Sequence, residues 1–123
     1  MVEIIHKELS YKIIGLAMEV HKNLGYGFLE KVYENALMFE LVSNNIEAKN
    51  QYPVKVNYKG NIIGNYIADI LVEDKIILEL KSIEKIIDIH KVQTMNYLKA
   101  TGLRLGIIIN FGKDNLEYYR VVL

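Results

Sequence analysis

Tyr66-Ile67-Ala68-Asp69-Ile70-Leu71-Val72-Glu73-Asp74-Lys75-Ile76-Ile77-Leu78-Glu79-Leu80-Lys81 reads as two apolar runs joined by a short acidic turn. The runs have the length and β-branched character of strands, and the turn makes them a hairpin. Three charged side chains, Asp69, Glu79 and Lys81, lie inside the runs. A charge buried in an apolar strand costs several kcal/mol unless it is paired or binds a metal. Side chains alternate along a strand, so Glu79 and Lys81 share a face. With Glu73-Asp74-Lys75 as the loop, Val72 pairs with Ile76, and Asp69 falls opposite Glu79 on that same face. A loop of Glu73-Asp74 alone would set Asp69 against Leu78 and scatter the charges.

Outward from this hairpin, the chain alternates cleanly between helical and strand patterns. Ile13, Leu16, Ala17, Val20 and Leu24 recur at helical spacing and predict a first helix over Ser10–Leu24. Ser10 suits its N-cap, and Gly25 its left-handed stop. A second helix is predicted over Leu29–Ser43, carrying Leu29, Val32, Tyr33, Ala36, Leu37 and Leu41. Tyr52, Val54, Val56 and Tyr58 alternate as a half-buried strand, and Lys59-Gly60-Asn61 turns into a second strand over Ile63–Val72. The third strand spans Lys75–Lys81. Helical spacing returns from Asp88, an apt N-cap, to Thr101, with Gly102 closing it. Leu103–Phe111 and Leu116–Val122 complete the set as strands, separated by a turn at 112–115.

The order is α-α-β-β-β-α-β-β. A crossover helix of this length sets the fourth strand parallel to an earlier one. The apolar stretch Gly106–Ile109 suits a central strand covered on both faces. The expected fold is α/β, a mixed central sheet flanked by helices.

Converging carboxylates are natural ligands for Mg²⁺ or Mn²⁺, which prefer oxygen and retain several waters. Such an ion polarises a phosphoryl oxygen and acidifies water, and Lys81 would stabilise developing charge beside it. The competing reading is that Glu79 and Lys81 face solvent on an edge strand and pair weakly. Glu30 lies along the same helical stripe as Leu37 and Leu41, so it is either a third carboxylate, reaching the metal directly or through water, or a partner for the helix dipole. Gln93 and Tyr97 share one face of the third predicted helix and could orient a substrate or Lys81. Otherwise they form a helix shoulder packed on the sheet. His6, His21 and His90 have no metal-ligand spacing, and His21 is read as a partly buried structural residue.

The length, 123 residues, fits a single domain spanning 1–123. Hydrophobic residues make up 51% and charged residues 24%, as in an ordinary globular protein. No cysteine is present, which excludes disulfides and thiolate metal sites. No apolar run reaches the roughly 18 residues of a membrane span, and Met1-Val2-Glu3 opens no signal-peptide pattern, so cytoplasmic location and no membrane partner are expected. Fifteen Lys and Arg balance 15 Asp and Glu, which argues against a protein that coats nucleic acid through charge alone.

Gly27-Phe28-Leu29-Glu30-Lys31-Val32-Tyr33 spells Gly-x-x-Glu-x-x-Tyr. With Asp69, Glu79-Leu80-Lys81, Gln93-Thr94-Met95-Asn96-Tyr97 and Ile109-Asn110-Phe111-Gly112, it resembles the GxxExxY protein family of the PD-(D/E)XK nuclease superfamily. The resemblance runs from about Ile13 to Val121 in the family's order. It implies a restriction-endonuclease-like αβββαβ core. It also implies metal ligation by Asp69 and Glu79, a catalytic Lys81, a helix acid at Glu30, and a Gln-x-x-x-Tyr element at Gln93 and Tyr97. Ala68 stands where many members carry proline. The implied activity is Mg²⁺- or Mn²⁺-dependent hydrolysis of nucleic-acid phosphodiesters, DNA foremost. A domain this small has little surface left for reading sequence, so a homodimer or partner protein is expected. The alternatives are a binding or regulatory module with little turnover, and a structural homo-oligomer built on buried ion pairs.

Overall fold

The computed structural model describes residues 4–123, so the very start of the stretch inspected for a targeting signal, Met1–Glu3, lies outside it. The elements are α1 (Lys7–Leu24), α2 (Glu30–Ser43), β1 (Ala48–Tyr58), β2 (Asn61–Val72), β3 (Ile76–Lys81), α3 (Asp88–Thr101), β4 (Leu105–Asn110) and β5 (Glu117–Val122). They form one five-stranded sheet in the order β1-β2-β3-β4-β5. β3 and β4 run parallel across the α3 crossover, and every other neighbouring pair is antiparallel.

The alternating apolar residues of the central strands feed two separate cores. Ile76, Leu78 and Leu80 of β3 and Ile107 and Ile109 of β4 pack with Ile13, Ala17, Tyr33 and Leu37 of α1 and α2. Ile77 and Ile108 point the other way, towards Tyr97 and Leu98 of α3. Every residue of β4 is buried, as its unbroken apolar run requires. Gly106 lets α3 approach β4 closely, since a Cβ there would lie 2.6 Å from Thr94 Cγ2.

Several boundaries differ from the sequence reading. α1 begins a turn earlier than Ser10: its N-cap is His6, in left-handed conformation at φ 51°, and Ser10 is buried inside the helix. Ile5 and Leu9 pack on the α1–α2 core and extend the apolar stripe towards the N-terminus. At α3 the N-cap is Ile87 rather than Asp88, and its N–H donates to His90 Nδ1 at 3.0 Å. Gly102 closes α3 in the left-handed region at φ 78°. β1 starts at Ala48, upstream of the alternation at Tyr52.

A kink in the β1–β2 ribbon positions the candidate site. Asn50 pairs with Ile70 and Tyr52 with Ala68, but Gln51 has φ 52° and forms no pair with Asp69. The facing of side chains changes phase at this point. Ile70 and Val72 join the α1–α2 core, whereas Ala68 and Leu71 both join the α3 core. β2 also leaves β3 here, because their ladder covers only Val72↔Ile76, Leu71↔Ile77 and Ile70↔Leu78. The sheet is therefore split beyond Ile70, between the β1–β2 ribbon and the rest.

Candidate active site

Asp69 stands at the mouth of this split. The turn takes the Glu73-Asp74-Lys75 form, with Val72 paired to Ile76 and Lys75 N–H donating to Val72 O at 2.9 Å. Glu73 and Asp74 adopt φ 53° and 54°, so two non-glycine residues carry the left-handed turn. The register would set Asp69 opposite Glu79, but the ladder ends one step short. Instead the Asp69 carboxylate accepts the Leu80 N–H at 2.7 Å, in place of a neighbouring strand.

Glu79 is only 7% exposed, and its Oε1 has no hydrogen-bond partner. Burial, and then the adjacent Asp69 charge, push its carboxyl up to about 9 against the pull of Lys81. Asp69 is also raised, chiefly by burial, although the Leu80 N–H favours its charged form and Glu34 opposes it. A protonated Glu79 can donate to Asp69, so the two acids behave as a coupled pair. Lys81 follows on the same side of β3 and is half-buried, with no ion pair within 4.0 Å among the described residues.

Glu30 begins α2 and is exposed rather than part of the buried stripe. Its charge still reaches Asp69 and His90. Tyr33 fixes the chain leading into it: the Tyr33 hydroxyl donates to Gly25 O at 2.7 Å and accepts the Phe28 N–H at 3.2 Å. The Tyr33 ring stacks on Phe111, centroids 4.5 Å apart. Positive φ at Gly25 and Gly27 (71° and 109°) allows the tight connection. Ser82, just after β3, ties the same loop down by donating to Phe28 O at 2.7 Å.

Gln93 and Tyr97 meet as their spacing suggests, with Gln93 Nε2 donating to the Tyr97 hydroxyl at 3.1 Å. Burial and then the Glu79 charge raise the Tyr97 hydroxyl, and Tyr97 packs in the α3 core with Ala68, the neighbour of Asp69. His90 is held below its ordinary value by burial and by Lys81, against Glu30. His21 bonds Lys113 O at 2.7 Å, as befits a structural residue.

The sequence reading missed Glu34. It is buried, and it accepts from Gln51 Nε2 at 2.8 Å, Lys31 Nζ at 2.8 Å and Asn50 Nδ2 at 3.4 Å. It thereby anchors the Gln51 kink opposite Asp69 to α2. Its signal was available, since Glu34 lies one turn beyond Glu30 on the stripe leading to Leu37 and Leu41. Asn110 was quoted without a role. Its Oδ1 accepts the Ile83 and Gly112 N–H groups, and its Nδ2 donates to Ile83 O and Glu117 Oε1, all at 3.0 Å. These bonds clamp the loop after Lys81 to the end of β4.

Among the described residues, no group of three or more His, Asp or Glu is placed to hold a metal. Asp69 and Glu79 nevertheless fit a hard divalent cation. Two acids are forced together, one with an orphaned buried oxygen, and among the described residues neither has an ion pair within 4.0 Å. Mg²⁺ commonly takes one or two carboxylates and fills its remaining positions with water and phosphate.

A family model of the PD-(D/E)XK nuclease superfamily matches residues 7–121, and the chain belongs to that superfamily. The mixed five-stranded sheet flanked by helices is its restriction-endonuclease-like fold. The crystal structure of SSO0001 superposes with a TM-score of 0.60 at 22% identity, covering 75% of this chain and 48% of that one. The likeness is one of fold, and the chain spans about half the length of that structure. An alkaline exonuclease, LHK-Exo from Laribacter hongkongensis, aligns at a TM-score of 0.48 and 11% identity, over 99% of this chain and 72% of that one. That likeness carries no argument about function. None of the curated proteins compared matches the sequence.

Proposed function

We propose that the protein is a divalent-metal-dependent nuclease that hydrolyses nucleic-acid phosphodiester bonds, DNA foremost. The observation that carries this reading is the buried Glu79 carboxyl with its unpartnered Oε1 beside Asp69. Superfamily membership supports it. Asp69 and Glu79 hold Mg²⁺ or Mn²⁺. The ion supplies Lewis acidity, polarising a phosphoryl oxygen and making water more acidic. Lys81 orients the attacking water and stabilises charge on the phosphate. Leu80 N–H keeps Asp69 aimed into the split, and Gln93 with Tyr97 positions the substrate. Glu30, too exposed to be held as a buried ligand, assists through solvent or by its charge. The Gly27-x-x-Glu30-x-x-Tyr33 motif supports membership of the GxxExxY branch. Nucleic acid is the principal partner, and a homodimer or partner protein completes the binding surface. The setting proposed is cytoplasmic; no described helix is long and apolar enough to cross a membrane.

A second reading, a nuclease-fold binding or regulatory module with little turnover, is favoured by the balance of 15 basic and 15 acidic residues. The test incubates the protein with plasmid and single-stranded DNA plus Mg²⁺ or Mn²⁺, beside Asp69→Asn and Lys81→Ala. Cleavage that falls at least about a hundredfold in both variants supports the nuclease. Metal binding by calorimetry without cleavage supports the module, and no metal binding removes both metal-based roles.

A further inference from the structure

We infer that the cleft between the β1–β2 ribbon and α3 binds unpaired nucleotides, with Tyr66 as a stacking platform for a base, so that the substrate is single-stranded nucleic acid. The inference rests on the nuclease reading for its link to cleavage, but its binding test does not. The cleft has a volume of about 760 Å³, large enough for a nucleotide-sized ligand. Tyr97 and Gln93 line one wall and Tyr66 the other. Tyr97 shares the α3 core with Ala68, the neighbour of Asp69, and with Ile77, two residues before Glu79 on β3, and Tyr66 lies on β2 with Asp69, so the cleft lies beside the candidate active site.

Tyr66 is 51% exposed, and its ring centroid lies 5.8 Å from that of Tyr97 at 43°. The ring leans over Gly64, where a Cβ would sit 3.4 Å from Tyr66 Cε2. About half of the Tyr66 surface stays open to solvent and to a ligand. The polar lining consists of Asn57, Gln93, Asn96, the Tyr66 and Tyr97 hydroxyls, and Lys99. It contains no acid and a single cation. Duplex DNA presents a charge about every 1.7 Å of axis and is met by arrays of Lys and Arg. Amides and exposed rings suit unstacked bases, whose edges and faces are free.

The test is anisotropy of fluorescein-labelled oligothymidylate and oligouridylate of about ten nucleotides, against a duplex of equal length, in EDTA so that nothing is cut. Expected is tighter binding of either single strand than of duplex. Tyr66→Ala should weaken it at least about fivefold, while Tyr66→Phe, which keeps the ring, stays within about twofold of the unaltered protein. Lys99→Ala should reduce the slope of log affinity against log salt by about 0.7. Preference for the thymidylate strand assigns DNA, and preference for the uridylate strand assigns RNA. Equal or tighter duplex binding, no single-strand binding, or an unchanged affinity in a folded Tyr66→Ala protein overturns the inference. Failure of the nuclease reading shows separately, as single-strand binding with no cleavage when Mg²⁺ or Mn²⁺ is restored.

Discussion

Glu79 is the residue where sequence and environment conflict most. Its carboxyl is raised from 4.5 to about 9, chiefly by burial. The folded chain therefore holds more protons than the unfolded chain between those values, and its metal-free stability falls as pH rises through that window. Thermal melts in EDTA should show this decline, and Glu79→Gln should flatten it, leaving the smaller part due to Asp69. An unchanged slope in that variant sinks the assignment of strain to Glu79. Mg²⁺ should raise the melting temperature more at the alkaline end, where both acids are ionised, and Asp69→Asn should remove that gain. Glu34 calls for a different test. Glu34→Ala removes the hydrogen bonds that Gln51, Asn50 and Lys31 make to a buried carboxylate and should cost about 1–3 kcal/mol in urea unfolding. The charged residues of the hairpin stood out because they interrupt apolar runs. The phase change at Asp69 did not, because it depends on the backbone of Gln51, and nothing in a glutamine announces a positive φ. Glu34 escaped notice because an acid on a helix is ordinary until its stripe is shown to be covered.

Elements were legible wherever apolar spacing was long and regular. All eight were anticipated in order, as was a parallel pairing of β4 with an earlier strand across α3, and that strand is β3. Their ends were less so. Ser10 resembles a cap, but the packing of Ile5 and Leu9 carries α1 beyond it. The contacts between elements rest on glycines that composition cannot rank. A Cβ at Gly112 would collide with the Ile83 backbone nitrogen and oxygen, and backbone cannot rotate aside. Gly112→Ala should therefore destabilise the protein by about 1–3 kcal/mol and displace the segment that follows Lys81. Equilibrium denaturation measures the first effect, and a loss of cleavage beyond the loss of folded protein measures the second. At Gly106 the obstacle is the Thr94 methyl, a side-chain atom. Gly106→Ala should destabilise by a similar amount, and adding Thr94→Ser, which removes that methyl but keeps the hydroxyl bonded to His90 O, should recover much of it. Strict additivity would show that the crowding lies elsewhere.

The whole molecule exposes 7612 Å² and carries no net charge. Specific protein–DNA interfaces take roughly 1,000 Å² or more of protein surface, a sizeable share of so small a chain. On the nuclease reading, attraction to phosphate comes from local placement rather than a general basic field. The dependence of binding on salt should accordingly be shallow, equivalent to about two or three phosphates. A slope like that of a strongly basic DNA-coating protein would refute this. The divided sheet has a dynamic consequence as well. Beyond Ile70 the backbone ladder of β1 and β2 joins only those two strands to each other, while Ile70–Val72 are locked between β1 and β3. Amide protons of the outer ribbon should exchange with deuterium through local fluctuations, well before those of β3 and β4, which await global unfolding. The hairpin then behaves as a hinged arm, with Asp69 at its pivot.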